Sequence, residues 1–273
     1  MTDQDISSIS AHFSRAGRVA DYADSVHPMN EARRDLVRRT VLHHVAPGSR
    51  VLEVGCGIGT LTMELAAAGM VCSAIDISAG MVKRARELIG STAEVEQADL
   101  FDFRPQQKFA AIIANGVACY YRDQRRFLDH IAELIEPNGI VAIVHRNALF
   151  NLFAFNQGTI DFVTDEVLKD LALPARQDIA HQLGAISGLA APRQRDQSAE
   201  LYRSAENPLD IADLYSAAGF SLVGIRYCFM HGAPPRLPAI EGIPDTAQLQ
   251  RRYEDRWEGM FLGSQFLVVA RRR

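Results

Sequence analysis

Cysteine is scarce in this chain. Cys56, Cys72, Cys119 and Cys228 make four in 273 residues, with no C-x-x-C pair. Cys72 and Cys228 lie inside strand-like apolar runs, which points to buried thiols rather than a disulfide framework or a metal site. A reducing, cytoplasmic compartment is the expectation. Long apolar runs are missing as well. None approaches the roughly 18 residues needed to span a bilayer, and the polar, acidic N-terminal residues show no secretory h-region. There is no excess of basic charge: 29 Lys and Arg stand against 33 Asp and Glu, for a net charge of −4. That balance argues against broad binding to nucleic acid. The densest basic run, Arg33-Arg34 and Arg38-Arg39, repeats at helical spacing beside Leu36, Val37, Val41 and Leu42 and reads as a solvated helix face. Arg271-Arg272-Arg273 is too short a run to carry an argument. Internal repeats and low-complexity tracts are absent. What remains is the composition of an ordinary globular protein, 48% hydrophobic and 23% charged, at a length that suits one large domain or one domain with an insertion.

Against that background one segment stands out. Val51-Leu52-Glu53-Val54 is an apolar strand carrying an acid, and Gly55-Cys56-Gly57-Ile58-Gly59-Thr60 follows with glycine at alternate positions. Helix-forming sequence comes next, and then a second strand that ends in Asp76. This layout places a nucleotide-type ligand at the carboxyl edge of a parallel sheet. A dinucleotide fold wants G-x-G-x-x-G, with a helix N-terminus facing a pyrophosphate. Here the third glycine position of that motif is Thr60. Asp76 can accept both hydroxyls of a ribose, as an acid does in dinucleotide sites.

Strands and helices alternate along the core. Strands are expected at 50–54, 71–75, 93–97, 109–114 and 140–144, and most are continuously apolar, as in a parallel sheet covered on both faces. Helices are expected at 6–23, 30–45 and 123–135, with two more after the first two strands. Pro137-Asn138-Gly139 reads as a turn into strand five. Residues 147–207 then break the pattern, with a mixed helical stretch from Phe150 to Leu173 followed by a loop-like tract. A helix at 209–218 and strands at 220–229 and 264–270 complete the chain. The expected division is N-terminal lid helices at 1–45, a core at 46–146 and 208–273, and a cap over the site at 147–207.

The core resembles the class I, Rossmann-like S-adenosylmethionine (SAM)-dependent methyltransferases of the small-molecule type. Glu53-Val54-Gly55-Cys56-Gly57-Ile58-Gly59-Thr60 matches that family's first motif, and Asp76-Ile77-Ser78 with Met81 and Ala85 matches its second. Ala98-Asp99-Leu100 is similar to the third, and Glu136-Pro137-Asn138-Gly139-Ile140 to the turn before strand five. The resemblance implies a doubly wound α/β fold with a mostly parallel seven-stranded sheet and an antiparallel final pair. It implies SAM as cofactor and S-adenosylhomocysteine as product. The implied cofactor residues are Glu53, Gly55, Cys56, Gly57 and Gly59 in the first motif, and Asp76, Ile77 and Met81 in the second. Asp99 and Leu100 would lie at the adenine and Asn115 beside the methionine part. Arg15, Arg18 and Tyr22 resemble a lid helix, in which an Arg would hold the methionine carboxylate and Tyr22 would shield the sulfonium. The same residues also read as an exposed face with one core aromatic.

Methyl transfer from SAM is an in-line displacement that needs alignment and exclusion of water, and no metal. A hydroxyl acceptor gains from a base, whereas an amine does not need one. His145, directly after strand five, is the best-placed base on sequence grounds, and it reads equally as a packing histidine. Tyr120, Arg146, Asn147, Phe150 and His231 are the candidate acceptor-binding residues. Phe153, Phe155, Asn151, Tyr202 and Arg203 also belong to the cap. The acceptor expected is a small molecule, natural-product or sugar-like, methylated on oxygen or nitrogen, with no nucleic-acid or membrane partner; a homodimer is left open. Two other classes compete: a non-catalytic SAM-binding regulatory protein and an NAD-dependent oxidoreductase. Thr60 and the lack of a tyrosine-lysine pair argue against the second of these. A nucleic-acid methyltransferase would carry an Asn/Asp-Pro-Pro-Tyr motif where this chain has Asn115-Gly116-Val117-Ala118.

Overall fold

The structure is a computed structural model and describes residues 9–14, 27–186, 203–235, 237 and 241–273. Residues 9–13 are helical. Helix α1 (Pro28–His44) begins with proline in its first turn, where the missing N–H has no helical partner to lose, and buries Leu36, Val37, Thr40 and Val41 along one stripe. Strand β1 (Arg50–Val54) then leads through the glycine loop into α2 (Thr60–Ala67). Next come β2 (Val71–Asp76), α3 (Ala79–Ile89), β3 (Glu94–Gln97) and β4 (Phe109–Ala114). Helix α3 is capped by Ser78, whose hydroxyl accepts from the Met81 N–H. Helix α4 (Gln124–Leu134) is capped in the same way by Asp123 and runs into β5 (Ile135–Arg146).

Strand five is longer than its apolar run. The expected turn at Pro137-Asn138-Gly139 is an excursion within the strand. Pairing with β4 jumps from Phe109 opposite Ile135 to Ala111 opposite Ile140, with Asn138 at φ 63°. The insertion contains α5 (Asn151–Ala154), α6 (Gln157–Phe162), a π-helical turn at Val163–Val167 and α7 (Leu173–Ile186). Helix α7 corrects the sequence reading, which placed a loop-like tract there. Helix α8 (Ile211–Ala217), β6 (Phe220–Met230), α9 (Thr246–Tyr253), α10 (Gly259–Leu262) and β7 (Gly263–Arg272) follow. Helices α9 and α10 carried no expectation.

The seven strands are ordered β3-β2-β1-β4-β5-β7-β6. The first five are parallel, and β7 lies antiparallel between β5 and β6. Both faces are covered. One face buries Phe109, Phe127, Ile131, Ile143, Tyr215 and Phe266, and the other packs Leu36, Val37, Leu61 and Leu65 against Val51, Ile113 and Val144. All four cysteines are free and buried. Among the described residues no helix is long and apolar enough to cross a membrane. The insertion leaves and re-enters the core at one place. The Glu206 N–H donates to the Arg146 carbonyl (2.8 Å) and the Ala148 N–H to the Glu206 carbonyl (2.9 Å). The C-terminal arginines are ties: Arg272 and Arg273 donate to the carbonyls of Gly219, Ser216 and Phe220, and Arg271 to that of Asn138.

Candidate active site

A cavity of about 360 Å³ opens above the carboxyl ends of β1, β2, β4 and β5. The strand order reverses between β1 and β4, so the crevice lies where a doubly wound sheet leaves room for a ligand. The glycine loop forms one wall. Gly55 and Cys56 both donate their N–H to the Ile75 carbonyl, at 2.8 and 3.1 Å. Gly57 lines the cavity at φ +56°, and a Cβ added there would meet no protein atom within 4 Å. Gly59 serves packing instead: a Cβ would stand 2.6 Å from Ile89 Cδ1 of the facing helix.

Two acids lie at this end. Asp76 accepts the Gly57 N–H on Oδ2 and the Ser78 N–H on Oδ1, both at 2.9 Å. Its pKa is raised, because burial outweighs those two hydrogen bonds. Glu53 is 3% exposed and accepts the hydroxyl of Thr62 in the first turn of α2. Burial pushes its carboxyl up to about 8 despite that bond. The Cys56 thiol is pushed up by burial and then by the charges of Glu53 and Asp76.

Ile77, Met81 and Leu100 line an apolar wall beyond Asp76. Asp99 lies just behind it. Its Oδ1 accepts the Phe101 N–H at 2.8 Å, while its buried Oδ2 has no hydrogen-bond partner. Asn115, at the end of β4, likewise lines the cavity with a buried Oδ1 that has no partner. Orphaned buried acceptors are uncommon. An acid bonded to the glycine loop, an apolar wall, buried acceptors without partners and a glycine wall together suit the polarity of SAM.

Residues 9–14 close one side. Ser10 Oγ donates to the Ile77 carbonyl (3.1 Å), Ser14 and Ser78 share a hydroxyl hydrogen bond (3.0 Å), and Phe13 packs edge-on against Tyr120 (centroids 5.6 Å). Arg15, Arg18 and Tyr22 lie outside the described residues. Arg33 departs from the sequence reading of a solvated face. It lines the cavity, donates to Gln265 Oε1 (2.7 Å) and Asn30 Oδ1 (3.3 Å), and lies over the Phe229 ring. The signal was available, since Arg33, Val37 and Val41 recur every four residues and so share the buried stripe. Arg34 also borders the cavity, and Arg34, Arg38 and Arg39 are half-buried and paired with Glu64, Asp35 and Glu254.

On the acceptor side the cavity brings together Tyr120, Arg146 and Arg203. The other candidates are occupied elsewhere. His145 borders the cavity but is 1% exposed; its Nε2 is bonded to the Tyr215 hydroxyl (2.8 Å) and its ring stacks on Phe266. Burial pushes its pKa down to about 3, so the ring is neutral near pH 7 and its hydrogen bond is already committed. The Asn147 amide is fully used in joining the insertion to the core: Nδ2 donates to the carbonyls of Met260 and Gly263, and Oδ1 accepts from Leu149. Phe150 packs its ring on His231 (4.7 Å), and His231 bonds Ser264 at 3.3 Å; neither lines the cavity. These four residues therefore have packing or joining partners where the sequence suggested catalysis or acceptor contact. Among the described residues no cluster of His, Cys, Asp or Glu is arranged to hold a metal.

Residues 26–224 match the family described as "Methyltransferase domain". An uncharacterized methyltransferase of Mycobacterium tuberculosis is 31% identical over 114 residues, covering 37% of this chain and 56% of that protein. The phosphatidylethanolamine N-methyltransferase of Cereibacter sphaeroides is 33% identical over 138 residues, 48% of this chain and 66% of that one. The chain thus spans little more than half the length of the first curated relatives it matches. Two solved structures share the fold across nearly the whole chain. Magnesium protoporphyrin IX methyltransferase from Synechocystis PCC 6803 with bound S-adenosylhomocysteine has a TM-score of 0.58 at 17% identity, covering 97% of this chain and 98% of that one. N-methyltransferase NodS from Bradyrhizobium japonicum WM9, also with S-adenosylhomocysteine, has a TM-score of 0.57 at 14% identity, covering 99% of each.

Proposed function

The chain belongs to the methyltransferase domain family, and from that premise we propose that it is a class I, SAM-dependent enzyme that methylates an oxygen or nitrogen of a small molecule. The observation that carries this reading is the match between the crevice and the ligand: Asp76 bonded to the glycine loop, the apolar wall of Ile77, Met81 and Leu100, and the unpartnered oxygen of Asp99 behind that wall. Bound SAM supplies an electrophilic methyl group on a sulfonium. The protein's share is alignment and exclusion of water. In this reading Asp76 accepts the ribose hydroxyls with its remaining lone pairs, and Asp99 Oδ2 accepts the adenine amino group. Met81, Ile77 and Leu100 flank the base, and the open space at Gly57 admits the ligand's backbone-hugging part. Arg33 lies where a guanidinium can hold the methionine carboxylate.

We assign no general base. His145 keeps its place as a buried partner of Tyr215, so the acceptor atom is a neutral amine or an oxygen that arrives already ionised. Residues 147–207 act as a cap whose returning end carries Arg203 to the cavity. Calorimetry with SAM and S-adenosylhomocysteine, using Asp76→Ala as control, tests the reading. Saturable binding that the substitution weakens about tenfold or more is the expected result, and absence of binding by the unaltered protein would sink it.

A further inference from the structure

The acceptor mouth is positive, and two of its cations are uncommitted. Arg146 ends β5 and Arg203 ends the insertion. Both are exposed and both line the cavity. Their backbones are fixed to one another's neighbourhood. The Ser204 N–H donates to the Cys119 carbonyl (2.8 Å), and the Glu206 N–H to the Arg146 carbonyl (2.8 Å). The Arg203 guanidinium lies over the Tyr120 ring, 5.9 Å from its centroid, a contact that holds the group while leaving its N–H fork unspent. Among the described residues no carboxylate lies within ion-pair distance of Arg146 or Arg203, whereas Arg34, Arg38 and Arg39 nearby on α1 all have one. Cys119 also lines the cavity, and the positive charges of Arg146, Arg203 and Arg33 all act to lower its thiol's pKa against the larger effect of burial. The acids of the cavity, Glu53 and Asp76, belong to the β1–β2 end, and Glu206 accepts from Ser204.

We propose that Arg146 and Arg203 form an oxyanion subsite, so that the methyl acceptor is a small acid presenting a carboxylate or phosphate-type group to the pair. The proposal rests on the methyltransferase reading above and narrows its substrate class. Two guanidinium forks from different elements suit the several lone pairs of one oxyanion. The cavity, about 360 Å³ among the described residues, is of the size that takes small molecules. An acid also meets the missing base, since an ionised oxygen has no proton to lose.

The test titrates inorganic phosphate, and separately benzoate, into protein saturated with S-adenosylhomocysteine. The readout is the side-chain Nε–Hε resonances of arginine. Saturable shifts at Arg146 and Arg203 are expected with at least one of the two anions, and none with benzamide, the neutral analogue of benzoate. Which anion binds more tightly separates phosphate-type from carboxylate acceptors. Arg146→Gln or Arg203→Gln alone should weaken binding about tenfold, as loss of a charge-assisted hydrogen bond does. The double variant should abolish it, and Arg146→Lys should retain part of it. Shifts that never saturate with either anion, or binding unchanged in the double variant, would overturn the proposal. Calorimetry of S-adenosylhomocysteine with the same proteins keeps the two readings apart. Cofactor binding that persists while the anions fail sinks only the subsite, and cofactor binding absent from the unaltered protein sinks the methyltransferase reading.

Discussion

Asp76 spends one lone pair on each of two backbone N–H groups, and in the proposed function its others accept the ribose hydroxyls. Its replacement by Ala therefore removes ligand contacts and also loosens the loop at Gly57. Loss of even one hydrogen bond to a charged group is expected to weaken SAM binding about tenfold to a hundredfold, measurable by calorimetry. His145 gives the opposite expectation. Tyr215→Phe strips its buried Nε2 of a partner and should lower stability by about 1–3 kcal/mol in denaturant titrations. His145→Gln, in turn, should leave the shape of the kcat/KM profile between pH 5 and 8 unchanged, because the ring does not titrate there. The glycine loop and Asp76 could be read from sequence because strand, turn and acid are adjacent in the chain and local chemistry dictates their conformation. His145 was harder. Alternation places it with Ile143 and Val141, on the face that meets Tyr215, but that partner lies 70 residues away and no local pattern announces it. Asn147 was misjudged for the same reason, its amide being taken up by Met260 and Gly263.

Helices were legible where burial imposed a stripe and obscure where it did not. Helix α4 buries Phe127, Leu128, Ile131 and Leu134 and matched its expected bounds closely. Helix α7 buries only Gly184, so no period of 3.6 marks it. Strand β5 was read too short because its first residues pass through Pro137 and Asn138 before the apolar run begins. Contacts between elements yield two expectations. Gly59→Ala sets a Cβ at φ +83° against Ile89 of α3, combining a left-handed backbone with overpacking, and should cost about 2–4 kcal/mol, read as a lowered Tm. Phe13→Ala deletes the edge-on contact with Tyr120 that keeps residues 9–14 over the cavity. An aromatic pair contributes about 0.5–1.5 kcal/mol, so S-adenosylhomocysteine should dissociate a few-fold to about tenfold more readily at nearly unchanged Tm.

At the scale of the molecule, two buried groups pull stability in opposite directions with pH. Glu53 goes from an ordinary 4.5 in the unfolded chain to about 8 in the fold. Its contribution is whole below 4.5 and drains away as pH rises towards 8. His145 goes from 6.5 to about 3, so its contribution is whole above 6.5 and drains away as pH falls towards 3. Between 4.5 and 6.5 the two slopes oppose each other. Unfolding of the ligand-free protein across a pH series should show a broad maximum there, with a decline on either side. Glu53→Gln should flatten the alkaline limb and His145→Gln the acid one. The alternating strands made the doubly wound sheet legible as a whole, while the insertion was not, because its short helices bury too few side chains to leave a period of 3.6 in the sequence. Finally, the position of β7 between β5 and β6 sets an order of events during synthesis. The ligand crevice is framed by β1, β2, β4 and β5, all made by residue 146, yet the edge of β5 stays unpaired until residues 263–272 emerge from the ribosome. Through the synthesis of more than a hundred further residues, the nascent chain carries an apolar sheet edge open to wrong partners, and β6 has no neighbour to join.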